Sequence, residues 1–272
     1  MKFILIDGSY FIYYRYFSLK NWWRNAKHID ESCIPFENSR FIDKYRTTFT
    51  NKMAEIKALY SPNEKAIILV GKDCPSSNIW RRKLFAEYKH GRKNDDSGVG
   101  DSFKLTYTED LFSKGGASAI LYDEELEADD CIAITTRHIE NTYPDSSIHI
   151  ITSDMDYLQL VNDNVYIYNL QGKLLTDSKQ SFNNPEKDLF CKIVSGDKSD
   201  NIQSVFARCG QKTAAKYYDD REVFKRKLEL DPGANKLYER NREIIDFDYI
   251  PKYLEERFKK ECLNLPVSFC NE

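Results

Sequence analysis

The sequence predicts an α/β fold with a mainly parallel central sheet, on three observations. Short apolar runs of buried-strand length recur through the first two thirds of the chain. Longer segments with helical periodicity separate them, the alternation expected when helices cover both faces of a parallel sheet. Aspartates stand just beyond several of the runs, where an open parallel sheet binds its ligands.

Four apolar runs read as buried strands: Phe3–Ile6, Ala66–Val70, Ile148–Thr152 and Val165–Tyr168, with a weaker fifth at Ala119–Tyr122. Phe41–Leu59 and Ala128–Ile139 carry apolar residues at helical spacing. Residues 81–104, RRKLFAEYKHGRKNDDSGVGDSFK, fit neither pattern. Their basic first half and Gly, Ser and Asp-rich centre predict an arched crossing within a region spanning 81–115. From about Asn183 the chain turns helical and charged, as in FKRKLEL and YLEERFKKE. The expected division is an α/β core over 1–182 and a smaller helical unit over 183–272.

With 272 residues and 41% hydrophobic content, the chain can bury one large core or two modest ones. No apolar run approaches the roughly 20 residues that span a bilayer. The opening MKFILID holds only a four-residue apolar stretch before Asp7, too short for a secretory leader. Seven cysteines, at 33, 74, 131, 191, 209, 262 and 270, form no C-x-x-C pair, which argues against a disulfide framework and a zinc knuckle. The expectation is a protein of a reducing intracellular compartment, cytoplasm or nucleus, with no membrane partner. His28, His90, His138 and His149 are far apart and read as ordinary residues.

The stretch LEADDC puts Glu127, Asp129 and Asp130 into one turn with no basic neighbour. Acidic residues in a first helical turn stabilise it by about 0.3–1 kcal/mol each, so a helix start alone could explain them. Asp7, in ILIDGS, and Asp73, in ILVGKD, each follow an apolar run. Asp154 and Asp156 follow another in IITSDMD, where a spacing of two predicts side chains on one side of an extended segment. SGDKSDN adds Asp197 and Asp200.

So many anions in one cleft would repel one another, and several would take up protons. Divalent cations remove that cost, and all-oxygen ligands without His or Cys suit magnesium or manganese. Two such ions about 3.5–4 Å apart can stabilise both the attacking and the leaving oxygen of a phosphodiester displacement. With these nine carboxylates set aside, the net charge of −3 becomes +6 for the remainder, which favours a phosphate backbone as partner.

Taken in order, IDGSY, the acidic residue after the second run, EADD, TSDMD and SGDKSDNI resemble the 5′ nuclease family: flap endonucleases and the 5′ nuclease domains of bacterial DNA polymerases. The likeness covers residues 1 to about 216. WRRKLFAEYKHGR and IIDFDYIP look closest to the family's compact phage members. The resemblance implies a PIN-like core followed by a helix-hairpin-helix-type duplex-binding unit. It implies a metal-dependent, structure-specific 5′ nuclease taking two Mg2+ ions, with Mn2+ able to substitute. Expected substrates are DNA with a 5′ flap, nick or 5′ end, including RNA-primed strands; a monomer is expected, and the phage-like layout implies a viral origin.

By that resemblance Asp7, Asp73, Glu127, Asp129 and Asp130 would surround one metal, and Asp154, Asp156, Asp197 and Asp200 the second. Arg81, Lys89 and Arg92 match the basic residues that the family sets against the scissile phosphate at the base of its arch. Tyr88 would stack on a base or pack the arch. Trp22 and Trp23 fall where the family presents apolar residues to the duplex end, although large helical aromatics are often core.

The family's duplex-binding loop follows a pattern near P-G-V-x-G-I-G-x-K-T-A, and this chain reads QSVFARCGQKTA. Gly210, Lys212 and Thr213 fit, and Lys216 lies one turn on; the proline and two glycines are absent. Such loops bring backbone N–H groups to duplex phosphates, often with a monovalent cation, which the missing glycines put in doubt. Three other readings stay open at this point. They are a phosphohydrolase with an aspartyl nucleophile in Asp154-Met155-Asp156, a toxin-type ribonuclease on the related fold, and a non-catalytic DNA-binding relative.

Overall fold

A computed structural model describes residues 1–25, 35–62, 64–91 and 98–263. Five strands, β1 (Lys2–Asp7), β2 (Ala66–Gly71), β3 (Ala119–Leu121), β4 (Ser147–Ile151) and β5 (Val165–Tyr168), make one sheet in the order β3-β2-β1-β4-β5. Every neighbouring pair is parallel. All five expected runs are strands, and the weak one, β3, is a short edge.

Both sheet faces are covered, which is why the strands read as continuous apolar runs. In β1, Phe3 and Leu5 enter one core cluster while Ile4 and Ile6 enter the other, the two-residue alternation of a strand. The helices α1 (Gly8–Asn25), α2 (Ser39–Tyr60), α4 (Val99–Thr108) and α5 (Leu111–Lys114) supply the second cluster. Between β2 and α4 lies the short helix α3 (Arg81–Leu84). The opposite face is covered by α6 (Ala128–Thr142).

Local sequence accounts for these helices. Phe41, Tyr45, Phe49, Met53 and Ile56 make the buried stripe of α2, and Asn38 caps it by accepting from the Arg40 N–H at 2.9 Å. In α6 the Asp130 carboxylate reaches back to accept from the Glu127 N–H at 3.1 Å. Gly8 is required by close approach: a Cβ there would lie 2.5 Å from the Gly71 carbonyl oxygen.

Beyond the sheet come α7 (Pro185–Ser195), α8 (Gln211–Asp219), α9 (Arg221–Leu230), α10 (Pro232–Ile245) and α11 (Lys252–Phe258). Phe190, Val194, Val205, Cys209, Ala214 and Phe224 share a cluster of their own. Phe247, Ile250, Leu254 and Phe258 instead return to the sheet core beside α6. Arg257 fastens that return by donating twice to the Asp123 carboxylate, at 2.6 and 2.8 Å. A third set joins the two parts: Cys74, Ile79 and Tyr88 pack with Ile193, Ile202, Ile244 and Ile245. Among the described residues no helix is long and apolar enough to cross a membrane.

Candidate active site

The sheet grows from β1 through β2 to β3, and the chain then returns to place β4 on the other side of β1. The crevice beyond such a switch point is the expected ligand site of an open parallel sheet. Here it is a cavity of about 240 Å³ lined by Asp7, Asp73, Glu127, Asp129 and Asp154, with Lys89 at its edge.

Each carboxylate is aimed by its own element. Asp7 ends β1 and accepts from the Tyr10 N–H and the Thr152 hydroxyl, both at 3.0 Å, so one bond comes from α1 and the other from the end of β4. Asp73 follows β2 and accepts from the Ala128 N–H at 2.8 Å and from the Ser9 hydroxyl. Glu127 and Asp129 open α6. Asp154 follows β4 and accepts from the Asp156 N–H at 2.9 Å.

That last bond corrects an expectation. Residues Met155–Leu160 form a 3-10 helix capped by Asp154, so the TSDMD segment is not extended. Asp154 lines the cavity, and Asp156, close enough to feel its charge, clusters with Asp197 and Asp200, their oxygens lying within 4.8 Å of one another.

Asp130 groups with Glu127 and Asp129, their oxygens lying within 4.8 Å of one another. It is fully buried, accepting from the Trp80 indole N–H at 2.9 Å and from Arg81 at 2.8 and 2.7 Å. Arg81 itself is 2% exposed and also donates to Glu127 at 2.9 Å and to the Ile244 carbonyl at 2.7 Å. Buried ion pairs and the Ile244 carbonyl occupy its donors here. Lys89 does face the cavity, with its ammonium 2.5 Å from Glu127 and 4.0 Å from Asp200. Arg92 lies outside the described residues.

The electrostatics separate the carboxylates into two kinds. Burial, reinforced by the charge of Asp73, pushes Asp7 up to about 6. Burial also raises Asp154, and raises Asp129 strongly despite Arg81. Burial opposes the charge on Glu127 too, but Lys89 and Arg81 outweigh it and hold Glu127 below the usual range. Asp7, Asp129 and Asp154 are thus cavity-lining oxygen donors that the protein's own cations leave under-compensated. That donor set fits a hard divalent cation.

Sequence reasoning missed Lys192, whose ammonium lies 2.6 Å from Asp156 and 2.5 Å from Asp197. Burial works against the Asp197 charge, but Lys192 brings that carboxyl down to about 2. Asp156, more deeply placed and beside Asp154, is pushed up to about 7. The only sequence signal was a lysine five residues before SGDKSDN's first aspartate. Thr152, which holds Asp7, was also missed because it reads as the last residue of a strand.

The expected DNA contacts divide. Trp22 is 52% exposed, with the Lys44 ammonium 5.2 Å above its ring, while Trp23 is buried edge-on against Phe41. Tyr88 is buried in the shared cluster and packs the arch base, so base stacking is excluded in this conformation. Gly210 precedes α8, and Lys212, Thr213 and Lys216 are exposed on that helix.

Residues 2–187 match the family model described as the 5′-3′ exonuclease, N-terminal resolvase-like domain. The chain belongs to the 5′-3′ exonuclease family. A 5′-3′ exonuclease of Mycoplasmopsis pulmonis is 28% identical over 221 residues, covering 78% of this chain and 64% of the relative. Flap endonuclease Xni of Colwellia psychrerythraea is 31% identical over 172 residues, covering 61% and 57%. Ribonuclease H of Enterobacteria phage T4 is 30% identical over 203 residues, covering 66% and 64%. The matches thus span less than two thirds of these relatives' lengths. The fold is shared with the bacteriophage T5 flap endonuclease crystallised with DNA and metal ions, at TM-score 0.66 and 18% identity over 97% of this chain and 98% of that one. The T5 5′-exonuclease with bound zinc ions has the same TM-score at 20% identity and the same coverage.

Proposed function

We propose that this chain is a divalent-metal-dependent 5′ nuclease that hydrolyses DNA at junctions of single and double strands. The observation that carries the reading is the cavity at the β1/β4 switch point, where five carboxylates converge and Lys89 stands at the edge. Family membership and the relatives named as exonucleases and flap endonucleases support it.

Asp7, Asp73, Asp129 and Asp154, with Glu127, are the residues that would hold one Mg2+, and Asp156, Asp197 and Asp200 a second; Mn2+ would serve in its place. Bound there, the ions supply Lewis-acid stabilisation of charge on phosphoryl oxygens. The protein's own part is positioning. Thr152 and the Tyr10 N–H fix Asp7, the Ala128 N–H fixes Asp73, and Arg81 fixes Glu127. Lys89 offers a positive charge at the cavity edge, suited to an anionic transition state. The α7–α8 hairpin would grip duplex behind the junction, and exposed Trp22 would meet its end. A core over 1–182 and a duplex-binding unit over 183–272 remain the proposed division, with α11 packing back against the core.

Cleavage of a labelled 5′-flap DNA, with Mg2+ and with excess chelator, tests the reading. The expected result is cutting near the junction that the chelator abolishes. Chelator-independent cutting, or none on any DNA, would refute it.

A further inference from the structure

Tyr107 and Tyr157 carry buried hydroxyls that have no hydrogen-bond partner among the described residues. Buried hydroxyls are ordinarily paired, because leaving one unsatisfied costs stability. Tyr45 shows the usual arrangement, with its hydroxyl 3.0 Å from that of Thr106. Phenylalanine would fill the space of Tyr107 or Tyr157 without the unpaired oxygen, so packing accounts for neither phenol.

Both hydroxyls flank the carboxylates of the switch-point cavity. Tyr107, on α4, packs against the core cluster of one sheet face, and Tyr157 belongs to that of the other. The Tyr107 hydroxyl lies 3.3 Å from where a Cβ on Gly8 would stand, directly after Asp7 in the chain. Tyr157 is 0% exposed, on the 3-10 helix that Asp154 caps, with its ring edge-on to Phe247 at 6.2 Å. Burial first, then the charges of Asp73 and Asp7 at Tyr107 and of Asp7, Asp129, Asp154 and Asp73 at Tyr157, push both phenols above their ordinary range. Both therefore stay protonated and able to donate.

The carboxylates have acceptor capacity to spare. Each offers about four lone-pair sites. Asp7 and Asp73 take two protein donors each, and Asp129 and Asp154 accept one backbone N–H each, from Asp130 and Asp156. Sites remain for both a cation and a hydroxyl.

We infer that Tyr107 and Tyr157 are positioning residues whose hydroxyls hydrogen-bond the cavity carboxylates as these turn to a divalent cation, fixing them from the two faces of the sheet. Carboxylates that ligate metals are themselves held by hydrogen bonds, and losing such a partner weakens metal binding by about 10–100-fold. The inference rests on the proposed metal-dependent reading and adds to it two residues that no acidic or basic motif contains.

The test is calorimetric Mn2+ binding to wild type, Tyr107→Phe, Tyr157→Phe and Tyr45→Phe, alongside thermal melting in chelator. Tyr107→Phe and Tyr157→Phe should each weaken Mn2+ binding about tenfold or more. In chelator each should melt no lower than wild type, since it loses only an unpaired polar atom. Tyr45→Phe, which strands the Thr106 hydroxyl, should do the reverse, melting lower and binding Mn2+ normally. Wild-type Mn2+ affinity in both Tyr107→Phe and Tyr157→Phe, or lower melting of both in chelator, would overturn the inference while leaving the metal-dependent reading intact. Failure of wild type to bind Mn2+ would sink both.

Discussion

Arg81 and Asp130 form a bidentate ion pair inside the protein, with guanidinium to carboxylate distances of 2.7 and 2.8 Å. One helix start and one arch base are joined there, and the third Arg81 nitrogen reaches the backbone of α10. Removing one partner of such a pair leaves a buried charge uncompensated. Arg81→Met should therefore lower unfolding free energy by about 3–5 kcal/mol, read by denaturant titration. A loss under about 1 kcal/mol would mean that Asp130 finds another partner.

Lys89 should behave differently, because it faces a cavity and not the core. Lys89→Ala is expected to fold normally and to lose roughly 100-fold or more in single-turnover rate, with junction affinity changed little. A fall in affinity alone would make Lys89 an ordinary phosphate contact.

The paired tryptophans of α1 separate core from surface within two residues. Trp23→Ala should cost about 3–5 kcal/mol of stability, whereas Trp22→Ala should stay within about 0.5 kcal/mol. If Trp22 meets the duplex end, its alanine variant will bind blunt junctions more weakly while melting normally. Equal melting of the two variants would contradict the burial difference.

Acid should loosen the C-terminal return before the core. Burial opposes the Asp123 charge, but the Arg257 hydrogen bonds hold that carboxyl below the ordinary 3.8. A depressed acid contributes stability above its unfolded value, and that stability is lost as pH falls through the folded one. The window therefore lies below about pH 4. Arg257 is part-exposed, so solvent screening limits the pair to under about 1 kcal/mol. Asp123→Asn should remove this part of the acid dependence and lower neutral-pH stability slightly, as followed by melting from pH 3 to 7.

How much of this was legible in the sequence depended on whether a residue's neighbours in the chain are also its neighbours in space. The strands showed because burial on both faces leaves nothing but apolar side chains in FILI and AIILV. Helix α2 showed because its buried stripe repeats at every turn. The burial of Arg81 was hidden because only the distant Asp130 and Ile244 make it internal. The 3-10 turn after Asp154 was hidden for a different reason: a single Asp side chain bonding two residues ahead overrides the period-two pattern. Lys192 and the return of α11 are tertiary facts with no local signature.

The central claim is that the carboxylates of the switch-point cavity act by holding metal, and Asp154→Asn tests it most directly. Asparagine keeps the oxygen that accepts the Asp156 N–H, so the turn should survive while the anion is lost. Single-turnover cleavage of a 5′-flap DNA at saturating Mg2+ is the measurement, with junction affinity in chelator as its companion. The account predicts that cleavage is abolished and that affinity is retained, since removing a negative charge does not weaken attraction to phosphate. Near-normal turnover by Asp154→Asn would contradict it.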